Sequence, residues 1–337
     1  MMEPKTVLSG IQPTGKLHLG RYFGAIQNWV TLQSAYNCTY SIVNYHAMTM
    51  PYQIKNLVPA TWDLTFDLIA CGLKPENIFI QSLVPEHAEL FWILNTMTGY
   101  GELKKMTQFK DKSIQVSEKG KDAFISCGLY TYPVLQAADI LIYKAHFVPV
   151  GKDQEQHLEL TRNIAQRFNH LVGKDYFHLP EPLFTEIPKV MSTADPSKKM
   201  SASLGDKHHI DLFASPERIT KQIKSAVTDT GENQGDAMSP GIANLFRLLK
   251  ASGHAEEYDG LMEDFDQGRL QYGHLKEVVA KALVNMTEPI RERKKEILEN
   301  KKTYKEQIKT SSAEIRTKAQ KTISEAKELV GLLNVKF

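Results

Sequence analysis

Four short apolar segments recur along the first half of the chain, and each is followed by a longer stretch whose apolar residues have helical spacing. The segments lie around residues 6–10, 40–44, 77–80 and 147–150, and they are rich in β-branched and aromatic side chains. Short apolar runs of this kind are typical of buried strands, and their alternation with helices is typical of a parallel sheet. The pattern therefore predicts an α/β fold.

Beyond about residue 204 the strand pattern fades and helical sequence dominates. This region opens with Ser215-Pro216-Glu217, where serine can cap a helix and proline fits the first turn. We expect a Rossmann-like, doubly wound parallel sheet in residues 1–203 and an all-helical C-terminal domain in residues 204–337. The last helix could pack back on the first domain, because its apolar residues need a partner surface.

The length and composition agree with two ordinary globular domains. The chain has 337 residues, of which 42% are hydrophobic and 24% are charged. It shows no signal-peptide pattern and no apolar run of membrane-spanning length, so we expect a cytoplasmic protein with no membrane partner. Cys38, Cys71 and Cys127 are odd in number and lack C-x-x-C spacing, which predicts buried free thiols.

Positive charge is concentrated near the C-terminus. Residues 285–337 carry 13 Lys and Arg against 8 Asp and Glu, a balance of +5, whereas the whole chain has a net charge of +2. This asymmetry is compatible with a polyanionic partner of the C-terminal region. A solvated pair of amphipathic helices explains it equally well.

Two short motifs about 180 residues apart carry the candidate chemistry: residues 10–21 and residues 198–203. In the first, a glycine-containing turn joins a strand to a helix, where backbone N–H groups can bind phosphate and the helix dipole favours a neutral His18. The second is a lysine loop. Each is a weak signal, and an ordinary βα turn explains the first on its own. Together they predict an ATP site for adenylyl transfer.

The same motifs resemble those of a known family. Gly10-Ile-Gln-Pro-Thr-Gly with His18-Leu-Gly-Arg21 resembles the HIGH motif of class I aminoacyl-tRNA synthetases, and Lys199-Met-Ser-Ala-Ser203 resembles their KMSKS loop. Residues 101–112, 137–140, 148–154 and 225–230 resemble bacterial tryptophanyl-tRNA synthetase, so the match covers nearly the whole chain.

This resemblance implies a tryptophan–tRNA ligase. Such an enzyme activates L-tryptophan with ATP to tryptophanyl-adenylate and pyrophosphate, and then transfers tryptophan to the 3′ end of tRNA(Trp). The resemblance also implies that residues 204–337 bind the anticodon and that the protein is a homodimer. Mg²⁺ should arrive on the ATP phosphates, with no dedicated metal site in the protein.

The family resemblance assigns the site residues. The catalytic set is His18, Lys199 and Lys112, with Lys110 as an alternative to Lys112. The expected ATP contacts are Gln12, Pro13, Thr14, Gly20, Arg21, Gly151, Lys152, Asp153, Val190, Lys199, Met200, Ser201, Ala202 and Ser203. The expected tryptophan contacts are Asp139, Tyr132, Gln154, Gly10, Gln136, Val148, Val150 and His46.

The residues of this last set agree with the resemblance on physical grounds. Tyr132, Gln136 and Asp139 follow helical spacing and share one face. A carboxylate only accepts hydrogen bonds, so Asp139 suits a lone N–H donor such as the indole nitrogen, although it could also be a surface or capping group. Val148 and Val150 are equally explained as core residues, and His46 as a packing residue.

Three positions depart from the family pattern. Ala202 stands where the loop commonly has lysine, so one cation is missing near the phosphates. Arg21 stands where asparagine or histidine is usual, and its charge could partly offset that loss. Gln136 stands where some members have methionine. The pair His208-His209 makes a poor metal site, and we expect it to face solvent.

Three other functions are open. A tyrosyl-tRNA synthetase shares the fold and the reaction, but residues 106–110 and 137–139 disfavour it. A nucleotidyltransferase that does not use tRNA is disfavoured by the long helical C-terminal region. A non-catalytic paralogue is favoured only by Ala202. Exchange of pyrophosphate into ATP with tryptophan, with tyrosine and with no amino acid separates these classes.

Overall fold

The structure, a computed structural model, describes residues 5–117, 124–151, 154–184, 189–228 and 238–334. Lys152 and Asp153, two of the expected ATP contacts, lie outside the described residues. The side chain of Lys112, an expected catalytic residue, also lies outside the described part of the chain.

The described chain contains the following regular elements. The strands are β1 (Thr6–Ile11), β2 (Asn37–Ile42), β3 (Ile78–Ile80), β4 (Phe147–Val150) and β5 (Glu181–Phe184). The helices of the first 203 residues are α1 (Leu19–Arg21), α2 (Gln27–Leu32), α3 (Asn44–Ala47), α4 (Ile54–Ala70), α5 (Glu86–Asn95), α6 (Tyr100–Lys104), α7 (Thr107–Ser117), α8 (Cys127–Leu141) and α9 (Glu155–Val172). The later helices are α10 (Pro216–Lys224), α11 (Pro240–Ala251), α12 (Ala255–Asp266), α13 (Tyr272–Glu299) and α14 (Lys301–Leu329).

The five strands form one parallel sheet in the order β3-β2-β1-β4-β5. The order reverses between β1 and β4, and in open α/β sheets ligands bind at the carboxyl ends of the strands at such a point. The predicted α/β fold with a doubly wound parallel sheet is confirmed. Strand β5 was not predicted, because its Glu and Pro residues disfavour strands; proline is tolerated here since β5 lies at the edge of the sheet.

Alternate residues of β1 and of β3 enter two different apolar clusters. Val7 of β1 and Ile78 of β3 belong to one cluster, whereas their neighbours Leu8 and Phe79 belong to the other. This alternation is the expected result of a strand period of two, so each face of the sheet has its own core. The first cluster extends into α10, α11 and α13, and the second contains α5, α8, α9 and α14.

Helix α14 covers the outer edge of the sheet. Ser311 donates a hydrogen bond to the carbonyl oxygen of Ile78 at 2.5 Å, and the N–H of Ile80 donates to Ser312 at 3.3 Å. Arg316 binds Glu86 of α5 through Nε at 2.8 Å. Because these contacts use backbone groups that an edge strand leaves unpaired, α14 protects β3 from pairing with other chains.

The cysteines only partly follow the prediction. Cys38 and Cys71 are buried free thiols, but Cys127 is exposed. The prediction of burial is therefore wrong for Cys127, because this residue begins α8 and its apolar sequence neighbours face inward from later turns. Within the described ranges, no helix is both long and apolar enough to cross a membrane.

Candidate active site

The carboxyl ends of β1 and β4 line a cavity of about 250 Å³ at the point where the strand order reverses. All eight residues expected to bind the amino acid line it: Gly10, His46, Tyr132, Gln136, Asp139, Val148, Val150 and Gln154. Gln12, an expected ATP contact, lines the same cavity. Val148 and Val150 are also buried, so they are both core and cavity residues.

Helix α8 forms one wall of this cavity. Its first turn is capped by Ser126, whose side-chain oxygen accepts a hydrogen bond from the N–H of Leu129. From this fixed start, Tyr132, Gln136 and Asp139 reach the cavity from successive turns. Asp139 is only 5% exposed, so its carboxylate is a buried polar group that needs hydrogen-bond partners.

Three side chains donate hydrogen bonds to the Asp139 carboxylate. His46 Nε2 lies 2.8 Å from Oδ2, and His87 Nδ1 lies 2.6 Å from Oδ1. The amide nitrogen of Gln81 lies 2.8 Å from Oδ1 and 2.9 Å from Oδ2. Each oxygen therefore has two donors, and the plane of the carboxylate is held from several directions.

These donors decide the charge of the carboxyl group. Burial by itself raises the pKa of Asp139, but the charge and hydrogen bonds of His46 and His87 outweigh it and hold the pKa at about 2. The Gln81 amide is fixed in turn, because its oxygen accepts the backbone N–H of Tyr45 at 3.0 Å. Asp139 is thus an ionised acceptor at neutral pH.

Gln81 and His87 were not among the residues that we predicted from the sequence. Both lie just after β3, in the segment Gln81-Ser-Leu-Val-Pro-Glu-His87 at the carboxyl edge of the sheet. Their position could have been inferred, because polar residues that directly follow a buried strand reach the ligand edge of a parallel sheet. What the sequence does not show is that both side chains turn toward α8.

A second cavity of about 490 Å³ adjoins the first. It is lined by expected ATP-site residues, among them His18, Gly20, Arg21, Lys199, Met200 and Ser201. Gly10 and Gln154 line both cavities, so the two share a boundary.

Glycine is needed at position 20 by close packing. A Cβ at this position would lie 3.1 Å from both His18 Nδ1 and Met200 Cβ. This spacing is tighter than ordinary van der Waals contact, so a side chain would push the lysine loop away from the histidine.

His18 is buried beside the lysine loop. Within the described part of the chain, its Nδ1 has no hydrogen-bond partner, although the side chain is only 6% exposed. Burial, together with the charges of Arg21, His209 and Lys199, lowers its pKa to about 4. His18 is therefore neutral at physiological pH, and a buried nitrogen without a partner is suited to a ligand atom.

The lysine loop is held by backbone hydrogen bonds. The N–H of Met200 donates to Val190 at 3.1 Å, and the N–H of Ser192 donates to Lys198 at 2.8 Å. The Lys198 ammonium pairs with Asp195 at 3.0 Å. The backbone therefore fixes the base of the loop, while Lys199 reaches the second cavity.

Not every expected ATP residue lines the second cavity. Pro13 and Thr14 line a different cavity of about 550 Å³, which also contains Asp67 and Lys294. Val190 is buried beneath the lysine loop, and Gly151 is exposed after the end of β4. The remaining two, Ala202 and Ser203, lie in a 3₁₀ turn, where a Cβ on Gly15 would lie 3.9 Å from Ala202 Cβ.

Arg21 makes contacts that we did not predict. Its terminal nitrogens donate to the carbonyl oxygens of Thr14 at 2.8 Å and Gln12 at 2.9 Å. Burial lowers its pKa to about 10, so the guanidinium stays charged at neutral pH. The side chain therefore braces the first loop in addition to lining the second cavity.

The prediction that the pair His208-His209 faces solvent is wrong for His209, whereas His208 is partly exposed. His209 is 4% exposed and packs edge to face on His18, with ring centroids 5.8 Å apart. Its Nδ1 lies 3.0 Å from the carbonyl oxygen of Gly205, and His208 Nδ1 lies 2.9 Å from Ser192 Oγ. The error arose because the chain after the lysine loop returns beside His18, where Asp211 pairs with it as an isolated β-bridge.

The sequence and the structure both match known proteins. The family model described as tRNA synthetases class I (W and Y) matches residues 2–288. The chain belongs to this family, and it is therefore an aminoacyl-tRNA synthetase.

Individual relatives are more specific. Tryptophan–tRNA ligase 2 of Streptomyces avermitilis is 43% identical over 340 residues, which cover 98% of each chain. The structure of tryptophanyl-tRNA synthetase from Mycoplasma pneumoniae is 31% identical, with a TM-score of 0.85 over 98% of each chain. That of the Campylobacter jejuni enzyme, complexed with ADP and tryptophan, is 34% identical, with a TM-score of 0.81 over 97% of this chain and 100% of the other. These relatives confirm the resemblance to bacterial-type tryptophanyl-tRNA synthetases.

Proposed function

We propose that this chain is a tryptophan–tRNA ligase, which forms tryptophanyl-adenylate from L-tryptophan and ATP and then acylates tRNA(Trp). The observation that carries the proposal is the pair of adjoining cavities. One contains a buried, ionised acceptor, and the other contains a neutral histidine and a lysine. The tryptophan and ADP bound by the Campylobacter jejuni relative are ligands of the two kinds that these cavities would hold.

In the first cavity, Asp139 accepts the N–H of the tryptophan ring. Both carboxylate oxygens already have two donors, so the ring N–H takes the place of one of the two contacts from Gln81, which keeps the other. Tyr132 and Gln154 bind the amino group, and the other expected tryptophan contacts enclose the ring and backbone of the substrate. This arrangement directs the carboxylate of tryptophan toward the boundary with the second cavity.

In the second cavity, ATP lies between the two motifs. The tryptophan carboxylate attacks the α-phosphorus in line, and pyrophosphate leaves with its electron pair and negative charge. Lys199 neutralises that charge, and neutral His18 donates a hydrogen bond to a phosphoryl oxygen. Lys112 or Lys110 contacts the phosphates from the other side, and the residues on the 3₁₀ turn and after β4 complete the ATP contacts.

Mg²⁺ is proposed to reach the site on the ATP phosphates. Among the described residues, no group of three or more His, Cys, Asp or Glu side chains is placed to hold a metal ion. Mg²⁺ commonly keeps its phosphate and water ligands and does not need a cage of protein side chains. The ion would add positive charge beside the leaving pyrophosphate.

We propose that residues 204–337 bind the anticodon region of tRNA(Trp). Helix α14 exposes several lysines, including Lys301, Lys302, Lys309 and Lys318. Lysines of this kind neutralise phosphates, so tRNA binding should weaken as salt rises. We also propose a homodimer in the cytoplasm, and Ile54 and Val58, which are large, exposed apolar side chains about one turn apart on α4, support a contact with a second copy.

Pyrophosphate exchange into ATP tests the proposed reaction. The purified chain should exchange pyrophosphate with tryptophan and show no exchange above background with tyrosine or without an amino acid. Charging of tRNA(Trp) with labelled tryptophan then tests the transfer step. Exchange that depends on tyrosine, or exchange without charging, would contradict the assignment.

A further inference from the structure

One imidazole behind the first cavity joins a side chain of α8 to a side chain of the turn that follows this helix. His87 Nδ1 lies 2.6 Å from Asp139 Oδ1, and His87 Nε2 lies 2.8 Å from the Tyr143 hydroxyl. Asp139 and Tyr143 are four residues apart, which is close to one helical turn, so a single ring from the first turn of α5 reaches both. Asp139 lines the cavity, whereas His87 and Tyr143 are not among its lining residues.

The chemistry of the two ends fixes the protons along this row. The ionised Asp139 only accepts hydrogen bonds, so His87 Nδ1 carries a proton. Burial, with the nearby carboxylates of Asp139 and Glu86, raises the pKa of Tyr143, which therefore keeps its hydroxyl proton. The Tyr143 hydroxyl is the partner of Nε2, and this hydrogen bond at one ring nitrogen helps to orient the ring so that Nδ1–H points at Asp139.

Packing holds the row in place. His87 is fully buried, and the Phe79 ring lies 5.6 Å from the ring of His87 and 5.5 Å from that of Tyr143, measured between centroids. Phe79 has no polar atom in its side chain, so it restrains both rings without contributing to the hydrogen bonds. The row of His87 and Tyr143 thus restrains the Asp139 carboxylate together with His46 and Gln81, and packing restrains the two rings.

We propose that His87 and Tyr143 are positioning residues that set the selectivity of this site for a ring with an N–H group over a ring of the same shape without one. The inference rests on the proposed function, because Asp139 must be the acceptor of that N–H. A site that requires a hydrogen bond rejects a ligand lacking it far more strongly than shape alone can. This rejection is weakened when the acceptor can turn away from the cavity.

Two substrates and four variants test the proposal. The substrates are L-tryptophan and 3-(3-benzothienyl)-L-alanine, in which sulfur replaces the ring N–H. Tyr143→Phe removes only the distal hydroxyl, His87→Leu removes both hydrogen bonds, and His87→Asn retains an amide donor toward Asp139. Phe79→Leu is the matched control, because it alters packing against the same two rings without removing a polar group.

Pyrophosphate exchange gives kcat and KM for each substrate. We expect the KM for tryptophan to rise about two- to tenfold in Tyr143→Phe, which is the range for one lost hydrogen bond, and about tenfold or more in His87→Leu, which loses two. The values for the sulfur analogue and kcat should change little, so the ratio of kcat/KM for the two substrates falls. His87→Asn should recover part of the ratio, and Phe79→Leu should leave it unchanged.

The outcomes separate the inference from the function on which it rests. Wild-type protein without tryptophan-dependent exchange overturns the proposed function, and the inference with it. Tryptophan-dependent exchange with an unchanged ratio in Tyr143→Phe and His87→Leu overturns the inference alone. An equal loss for both substrates, matched by Phe79→Leu, would show a merely structural role and also overturn it. Thermal unfolding identifies any variant that does not fold, in which case Tyr143→Phe decides.

Discussion

The two cavities of the site differ in whether their buried polar atoms already have hydrogen-bond partners. In the first, Asp139 has three donors from separate elements, and every one of the four contacts is between 2.6 and 2.9 Å. In the second, the buried Nδ1 of His18 has no partner within the described residues. One cavity therefore has its hydrogen bonds made before a ligand arrives, whereas the other leaves a buried polar atom for the ligand to satisfy.

The two cavities therefore differ in how rigidly they hold their polar groups, and this difference matches the tasks proposed for them. Discrimination between similar rings depends on an acceptor of fixed direction, because a movable acceptor can adapt to the wrong ligand. Stabilisation of a leaving phosphate depends on charges that meet it as the reaction proceeds, and Lys199 is carried by a loop whose base is held by backbone hydrogen bonds.

The largest effect should follow from Asp139→Asn. The amide presents a donor to a site with three donors, so a buried charge pair is broken and the free energy of unfolding should fall by about 3–5 kcal/mol. Urea unfolding measures this, and the KM for tryptophan should rise in parallel. Gln136→Met, at another residue that lines the same cavity, is the control and should change stability little. A variant as stable as wild type would contradict the pre-formed first cavity.

On the phosphate side, Lys199→Ala should lower the rate of pyrophosphate exchange about 10²- to 10³-fold, because it removes a charge that acts on the leaving group. Tryptophan affinity, measured by equilibrium binding, should stay close to wild type. Lys198→Ala is the matched control, since this neighbouring lysine pairs with Asp195 and should matter less. Near-normal exchange in Lys199→Ala would refute the assigned role.

His18 should make stability depend on pH. Its folded-state pKa is about 4, below the ordinary value of 6.5, so its contribution to stability is present above about pH 6.5 and is lost as the pH falls toward 4. The loss should reach about 3 kcal/mol, since one pKa unit corresponds to about 1.4 kcal/mol. Urea unfolding of wild type and His18→Gln at several pH values measures the difference, with exposed His170→Gln as control. Parallel curves for wild type and His18→Gln would exclude this titration.

The smallest expected effect is a coupling between Arg21 and position 202, where alanine replaces the usual lysine of the loop. Arg21 braces the loop whose Gly15 lies beside Ala202, so the charges at positions 21 and 202 should not act independently. In a double-mutant cycle of Arg21→Asn and Ala202→Lys, we expect a coupling of about 0.5–1 kcal/mol in the activation free energy of pyrophosphate exchange. Strict additivity would show that Arg21 does not offset the loss at position 202.

Much of the fold could be predicted because its signals are local. Strand β1 and the turn after it are recognisable from apolar periodicity and glycine, and the parallel class follows from the alternation of strands and helices. Strand β5 was missed because its own residues disfavour a strand and only the neighbouring β4 makes it one. The burial of His209 was missed for a similar reason, since it depends on a distant contact with His18.

The class of protein, the two motifs and the helix face that carries Tyr132 and Asp139 could all be read from the sequence. Each motif, and the helix face, depends on residues that are close together along the chain, and the class follows from the motifs in combination. Only the tertiary structure decided how Asp139 is held. Gln81, His87 and His46 come from segments 52 or more residues away along the chain, and the directions of their hydrogen bonds depend on where α3, α5 and the turn after β3 lie relative to α8. Residue spacing predicts which side chains share a helix face, but it carries no information about which distant donors meet them in the core.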